Sequence, residues 1–193
     1  MNYMLVEIKA SNGACHLRSI ENVEKEYQLL NGVSRVANFP PDACFRMNDD
    51  FPKDIGLTDA LHNQSRLVVA SERLKTFLEA FPGALVQNET LPVVILNHKG
   101  RREKAQYAVV NQLNHPACLD EKACVGTKSK LKPAVFQVIK KMALDPARIP
   151  PDRMLFRAAE YPQATLIRRD LAEKLAAESF TGITFHEIEG YEF

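Results

Sequence analysis

The chain has 193 residues, 46% of them hydrophobic and 25% charged, with 25 Lys and Arg against 24 Asp and Glu for a net charge of +1. That is ordinary globular composition, enough for one sizeable core or two small lobes. The balanced charge gives no bulk pull toward nucleic acid or an anionic membrane surface.

In chain order, MNYMLVEIKA opens with Glu7 and Lys9 breaking the apolar stretch, so no secretory hydrophobic segment is expected. Met4 to Lys9 reads as a strand with Val6 and Ile8 on one face and Glu7 and Lys9 on the other. Residues 31–65 are rich in turn formers, among them Gly32, Pro40, Pro41, Asn48, Asp49, Asp50 and Gly56, which predicts a long irregular region with one short strand. Leu67 to Ala70 reads as a strand and Ser71 as the cap of a helix. Leu74, Phe77, Leu78 and Phe81 form its apolar stripe, and Pro82-Gly83 stops it. Leu91 to Leu96 and AQYAVVNQL then predict a hairpin over 91–113. LPVVIL is also the longest apolar run, far short of a membrane span.

Further on, Val135 to Ile139 and Met154 to Arg157 are candidate strands, separated by Pro146, Pro150 and Pro151. Asp170 is expected to begin a second helix, with Glu173 completing a capping-box-like pair. ITFHEI alternates as a final strand, with His186 on its solvent side. The fold expected is α+β, mainly antiparallel strands with a few short packed helices.

An internal echo accompanies this layout. VVASERLKTFL and LIRRDLAEKL share a strand-to-helix pattern, with Leu74 and Leu171, and Leu78 and Leu175, each 97 residues apart. Gly83 and Gly182 are 99 apart, which makes the second copy two residues longer by that measure. The chain thus reads either as one domain over 1–193 or as two related lobes, 1–98 and 99–193.

Motifs of catalysis are sparse. The chain has no Gly-rich phosphate loop, HExxH, G-x-S-x-G or CxxC pair. His115, Cys118, Asp120 and Cys124 are ligand types, but their spacing matches no common zinc pattern; a polar loop with two partly buried thiols is the simpler reading. Cys15 and Cys44 lie far from that pair, and four scattered cysteines argue for reduced thiols rather than a disulfide scaffold. The five histidines are isolated from one another in sequence, and no nucleophile can be paired with a base. The basic clusters Arg101, Arg102, Lys104 and Arg168, Arg169 lack interleaved aromatics, so no nucleic-acid partner is expected.

Several segments, in order, resemble the type-eleven immunity family of bacterial polymorphic-toxin systems. They are VVASERLKTFLE, Tyr107 to Asp120, Leu155-Phe156-Arg157, and Phe180 to Phe185 with Gly182, spread over residues 66–185. The missing secretory segment and membrane span point to the cytoplasm, and the resemblance implies a non-enzymatic protein with no cofactor or metal, which neutralises a cognate toxin by stoichiometric occlusion. Under it, the toxin contact is expected in the irregular region, at Arg46, Asp49, Asp50 and Phe51, where aromatic and arginine side chains can anchor a partner. The alternative is a small enzyme or a metal-binding regulatory protein.

Overall fold

The computed structural model describes residues 2–191. The elements are β1 (Tyr3–Ile8), β2 (Leu17–Glu21), α1 (Tyr27–Leu30), β3 (Cys44–Met47), β4 (Ala60–Leu61), β5 (Val68–Ser71), α2 (Glu72–Ala80), β6 (Asn88–Leu96), β7 (Tyr107–Gln112), β8 (Val125–Lys128), β9 (Phe136–Lys141), β10 (Leu155–Ala158), β11 (Tyr161–Arg168), α3 (Arg169–Ala177) and β12 (Ile183–Glu187). The protein is α+β, as expected. Its strands form a six-stranded sheet, β2-β3-β6-β7-β5-β4, a four-stranded sheet, β10-β11-β1-β12, and the pair β8-β9. All pairings are antiparallel except β3 with β6. The 31–65 region holds more structure than expected: β3, β4 and a 3-10 turn at Val36–Asn38.

The helices start for different reasons. The Ser71 hydroxyl accepts from the Leu74 amide at 3.2 Å, the cap expected for α2. In α3 the N-cap is Arg168, which makes no side-chain cap bond. Asp170 lies one residue inside, bonded to the Arg168 guanidinium at 2.7 and 2.8 Å and to the Leu171 amide at 2.9 Å. The capping box expected with Glu173 therefore does not form, because Asp170 is already inside the first turn.

The echo is a repeat of topology. Strand β5 runs directly into α2, and β11 directly into α3; both helices have nine residues. In each sheet the strand before the helix and the strand after it flank one antiparallel strand, β7 in the first case and β1 in the second. The registers agree as well. Tyr107 to Val110 pair with Ser71 to Val68, and Tyr3 to Val6 pair with Arg168 to Thr165. On the other side Val109 faces Leu91, and Leu5 faces His186. From Ala80 to Leu91 is 11 residues, but from Ala177 to His186 only 9, so the second return connection is two residues shorter. The glycine spacing suggested a longer second copy; the registers correct it, since Gly83 and Gly182 are not equivalent positions. Residues 98 and 99 lie in the turn of the β6–β7 hairpin. The six-stranded sheet draws on residues 17–112, and the four-stranded sheet on 3–8 together with 155–187.

Alternation along each strand divides the apolar side chains into three layers. Leu61, Val69, Leu91, Tyr107 and Val109 join the cluster on the outer face of the six-stranded sheet. Tyr3, Leu5, Phe156 and Leu166 join the matching cluster on the four-stranded sheet, covered by Phe136 and Ile139 of β9. The intervening residues Ala60, Val68, Ala70, Val110, Leu155 and Ile167 face a shared layer. That layer also buries Leu74 and Leu78 of α2 and Leu171 and Leu175 of α3, none more than 2% exposed. Burying four leucines on this scale stabilises by about 1.5–3 kcal/mol each.

Polar groups also join the two sheets. Arg157 of β10, 1% exposed, donates to Gln112 Oε1 of β7 at 2.8 Å, to the Arg66 carbonyl at 2.6 Å and to the Pro162 carbonyl at 2.5 Å. Asp59 accepts from the Thr181 amide and hydroxyl, both at 2.9 Å, from Ser71 at 3.0 Å and from Arg73 at 3.0 Å. Burial pushes the Asp59 carboxyl up, but those bonds and the Arg73 charge outweigh it and hold it below the ordinary range.

Candidate functional site

The four residues expected to contact a partner fall on one ordered surface. Arg46 is the one half-buried position of β3, between buried Phe45 and Met47, and its Nε lies 3.4 Å from Glu21 of β2. Asn48 then anchors the turn: its amide donates to the His16 carbonyl at 2.7 Å, and its Oδ1 accepts from the Asp50 amide at 3.2 Å. This fixes Asp49, whose carboxylate takes Arg18 Nη2 at 2.8 Å on one side and His98 Nδ1 at 3.3 Å on the other. Phe51 is 41% exposed and stacks on the His16 ring, centroids 4.1 Å apart and 19° from parallel. Arg46, Asp49 and Phe51 are thus each tied to a neighbouring element: β2, the β6–β7 turn, or His16. Asp50 is held through its backbone and exposes its side chain. Arg18, His16 and His98 belong to this surface and were not identified from the sequence, since each reaches it from a distant segment.

The His115–Cys124 segment does something else. His115 Nε2 lies 3.0 Å from the Gln112 carbonyl, and burial, with the Arg157 charge next, lowers its pKa to about 4. Cys118 is buried, and its thiol is pushed up to about 12 by desolvation and then by Glu160. Glu160 Oε2 and Oε1 accept from the Cys118 and Leu119 amides at 3.1 and 3.3 Å. Asp120 Oδ1 caps the next turn, accepting from Lys122 and Ala123, and Cys124 Sγ is within hydrogen-bond reach of the Ala143 amide and carbonyl. Each of the four thus has its own local partner. Among the described residues no group of three or more His, Cys, Asp or Glu side chains is placed to hold a metal ion.

A second surface feature lies where the two sheets meet. The loop between β4 and β5 is clamped by Asn63, 5% exposed, which donates to the Leu61 and Leu67 carbonyls at 3.0 and 2.8 Å and accepts from the Leu67 amide at 3.0 Å. The Ser65 hydroxyl accepts from the Ile20 amide at 2.9 Å. The loop presents Arg66, exposed, at a φ of 55°. Its Nη1 donates to Oε1 of Gln163 on β11. The two residues are 97 positions apart and hold equivalent places two before Val68 and Thr165, so this bond joins equivalent positions of the two repeats. Two hollows of about 250 and 470 Å³ share Arg66, Leu67 and Gln163. Nothing local in the sequence distinguishes Arg66; the 97-residue echo was the signal that could have found it.

No family model matches the chain, and no curated protein matches it. The resemblance to the immunity family therefore rests on the quoted motifs alone. Those motifs sit in packing positions: Leu74 and Leu78 in the shared layer, Phe156 in the outer core and Arg157 between the sheets. Among the described residues no helix is long and apolar enough to cross a membrane.

Proposed function

We propose that this chain is a cytoplasmic immunity protein, a non-enzymatic binder that neutralises a cognate toxin by covering its active surface in a one-to-one complex. The motif order over residues 66–185 supports the family. The observation that carries the binding mode is the surface around Asp49. Arg18 of β2 and His98 of the β6–β7 turn clamp its carboxylate, and Phe51 stacks on His16. An exposed aromatic beside preordered charges is the composition of an interface centre, and its rigidity lowers the entropy lost on binding. An interface of this kind buries about 1,600 Å² in total, well within the 10174 Å² surface of the chain.

The test is co-expression with the toxin encoded beside this chain's gene. Inhibition should saturate at one immunity protein per toxin, and the complex should survive gel filtration. The variant Arg46→Ala, Asp49→Ala, Asp50→Ala, Phe51→Ala should fold and lose protection. Inhibition at sub-stoichiometric amounts, with chemical change in the toxin or its product, would mean a catalytic antidote. Full protection by the quadruple variant would remove this surface from the interface.

A further inference from the structure

We infer that the β8–β9 hairpin is a membrane-contacting element. Its lysines lie on the headgroups of an anionic bilayer, and Leu131 at its apex enters the boundary with the acyl chains. The hairpin shares no residue with the Asp49 surface, and its role does not depend on the chain's partner being a toxin.

Local charge is the first line. Residues 122–144 hold six lysines, at 122, 128, 130, 132, 140 and 141, and no acidic residue. The stretch carries +6 in a chain of net charge +1, which leaves −5 for the rest, so the overall balance conceals one strongly basic segment. Five of the six lysines are exposed; Lys128 is half-buried. Among the described residues, Lys128 is also the one of the six within ion-pair distance of a carboxylate, that of Glu121 at 2.9 Å. The pairing gathers this charge on one element. Lys141 faces Val125 at the base of the hairpin, with Lys140 beside it and Lys122 just before β8. Lys130 and Lys132 stand in the turn at the other end, about 20 Å away along the six-residue β9.

Exposed apolar side chains on the same element are the second line. The turn is closed by bonds from the Ser129 amide to the Val135 carbonyl and from the Val135 amide to the Lys132 carbonyl, both at 2.8 Å. Ser129 Oγ accepts from the Lys132 amide at 3.2 Å. This holds out Leu131, 94% exposed, between two lysines. Val125 and Val138 on the strands are also exposed, so three of the nine exposed large apolar side chains among the described residues belong to this hairpin. While Phe136 and Ile139 of β9 enter the outer core, β8 pairs with β9 alone and buries none of its residues. A leucine held in water between cations suits a bilayer interface, where lysine stems run along apolar surface and their ammonium groups reach the phosphates. Basic charge and an inserted apolar group are the two contributions that bring a protein to an anionic membrane surface.

Other polyanions match these features less well. Residues 122–144 contain no arginine, and their one aromatic, Phe136, is 4% exposed, so no nucleic-acid base can stack there. The five exposed lysines are fixed by no ion pair. A plane of diffuse charge tolerates that freedom, whereas a partner read through directed bonds does not.

The test is flotation of the full chain with vesicles of phosphatidylglycerol and phosphatidylcholine in equal parts, against vesicles of phosphatidylcholine alone, at low and physiological salt. Binding to the anionic vesicles is expected, weakening as salt rises, with none to the neutral ones. Lys130→Gln with Lys132→Gln should weaken it ~25-fold, at about fivefold per lysine. Leu131→Ser should weaken it at least ~10-fold. Both variants change exposed side chains and should melt as the parent does. The Arg46, Asp49, Asp50, Phe51 alanine variant should bind vesicles as the parent does, which separates this inference from the toxin-binding surface. Four results would overturn it: no binding by the parent to anionic vesicles, equal binding to neutral ones, binding unchanged in either hairpin variant, or capture by duplex DNA or poly-glutamate in preference to the vesicles.

Discussion

Tyr107 and Tyr3 stand at equivalent places in the two sheets, each opposite the last strand residue before a helix, Ser71 for one and Arg168 for the other. Each is the first residue of the strand inserted between the two strands that flank a helix. The chain can thus be parsed as two units: β1, β4, β5, α2, β6 and β7, β10, β11, α3, β12. In that parsing each unit gives its first strand to the other's sheet. The fragments 1–98 and 99–193 would each lack the central strand of their own sheet. Neither should give a cooperative thermal transition alone, whereas together they should copurify through a tag on one of them. A cooperative transition in either isolated fragment would refute the exchange as the basis of folding.

Arg157 links three segments through neutral acceptors. Arg157→Met keeps much of the volume and leaves Gln112 Oε1 and two carbonyls without their donor. At about 1 kcal/mol per orphaned buried acceptor, the loss should be about 3 kcal/mol. Urea unfolding would measure it; a change under about 1 kcal/mol would show that water takes over those bonds.

Two glycines separate strain from crowding. Gly13, at φ +80°, has open space where a Cβ would stand, so Gly13→Ala should cost about 1 kcal/mol. Gly182, at φ +78°, would place a Cβ 2.2 Å from the Ala60 carbonyl oxygen and 2.6 Å from Thr58 Oγ1. Gly182→Ala must displace backbone where the α3–β12 connection meets β4, and should cost on the order of 3 kcal/mol. Equal costs in thermal melts would contradict this packing.

His115 makes stability pH-dependent in a definite direction. Its pKa falls from 6.5 to about 4 on folding, through burial and the Arg157 charge. Between those values the unfolded chain binds a proton that the folded chain does not, so stability is full above pH 6.5 and is lost as pH falls toward 4. The slope from this one group is at most about 1.4 kcal/mol per pH unit. The difference in urea midpoint between the parent and His115→Gln, followed from pH 7 to 4, should narrow across this window, whereas parallel curves would assign the dependence to the carboxylates.

How much of this was legible depended on whether an element carries its own signal. The Ser71 cap, the Leu74 and Leu78 stripe, the 91–113 hairpin and the alternating final strand are local, and all are present. Strand β8 was not readable: Val125 is 53% exposed, and the element exists by pairing with β9 and by Lys128 lying over Phe136. Strand β11 carries Pro162, Gln163 and Thr165, which broke its pattern, yet it supplies the start of the second repeat. For the candidate site, Arg46, Asp49, Asp50 and Phe51 were chosen by residue type. What makes Asp49 a fixed group is Arg18 and His98, 31 and 49 positions away, which spacing along the chain does not encode.

The placement of β1 also sets an order of assembly during synthesis. All strands of the six-stranded sheet lie between residues 17 and 112, so that sheet can close while the rest of the chain is still being made. The segment YMLVEI emerges before any of it, yet its partners are Arg168 to Thr165 and Glu187 to Ile183. It must remain unpaired until residues 165–168 and 183–187 have been made, an apolar strand with both edges open. Ribosome-bound chains arrested after residue 112 has cleared the exit tunnel, and before residue 161 has done so, should accordingly bind nascent-chain chaperones through their first ten residues, at a stage when the six-stranded sheet is already folded.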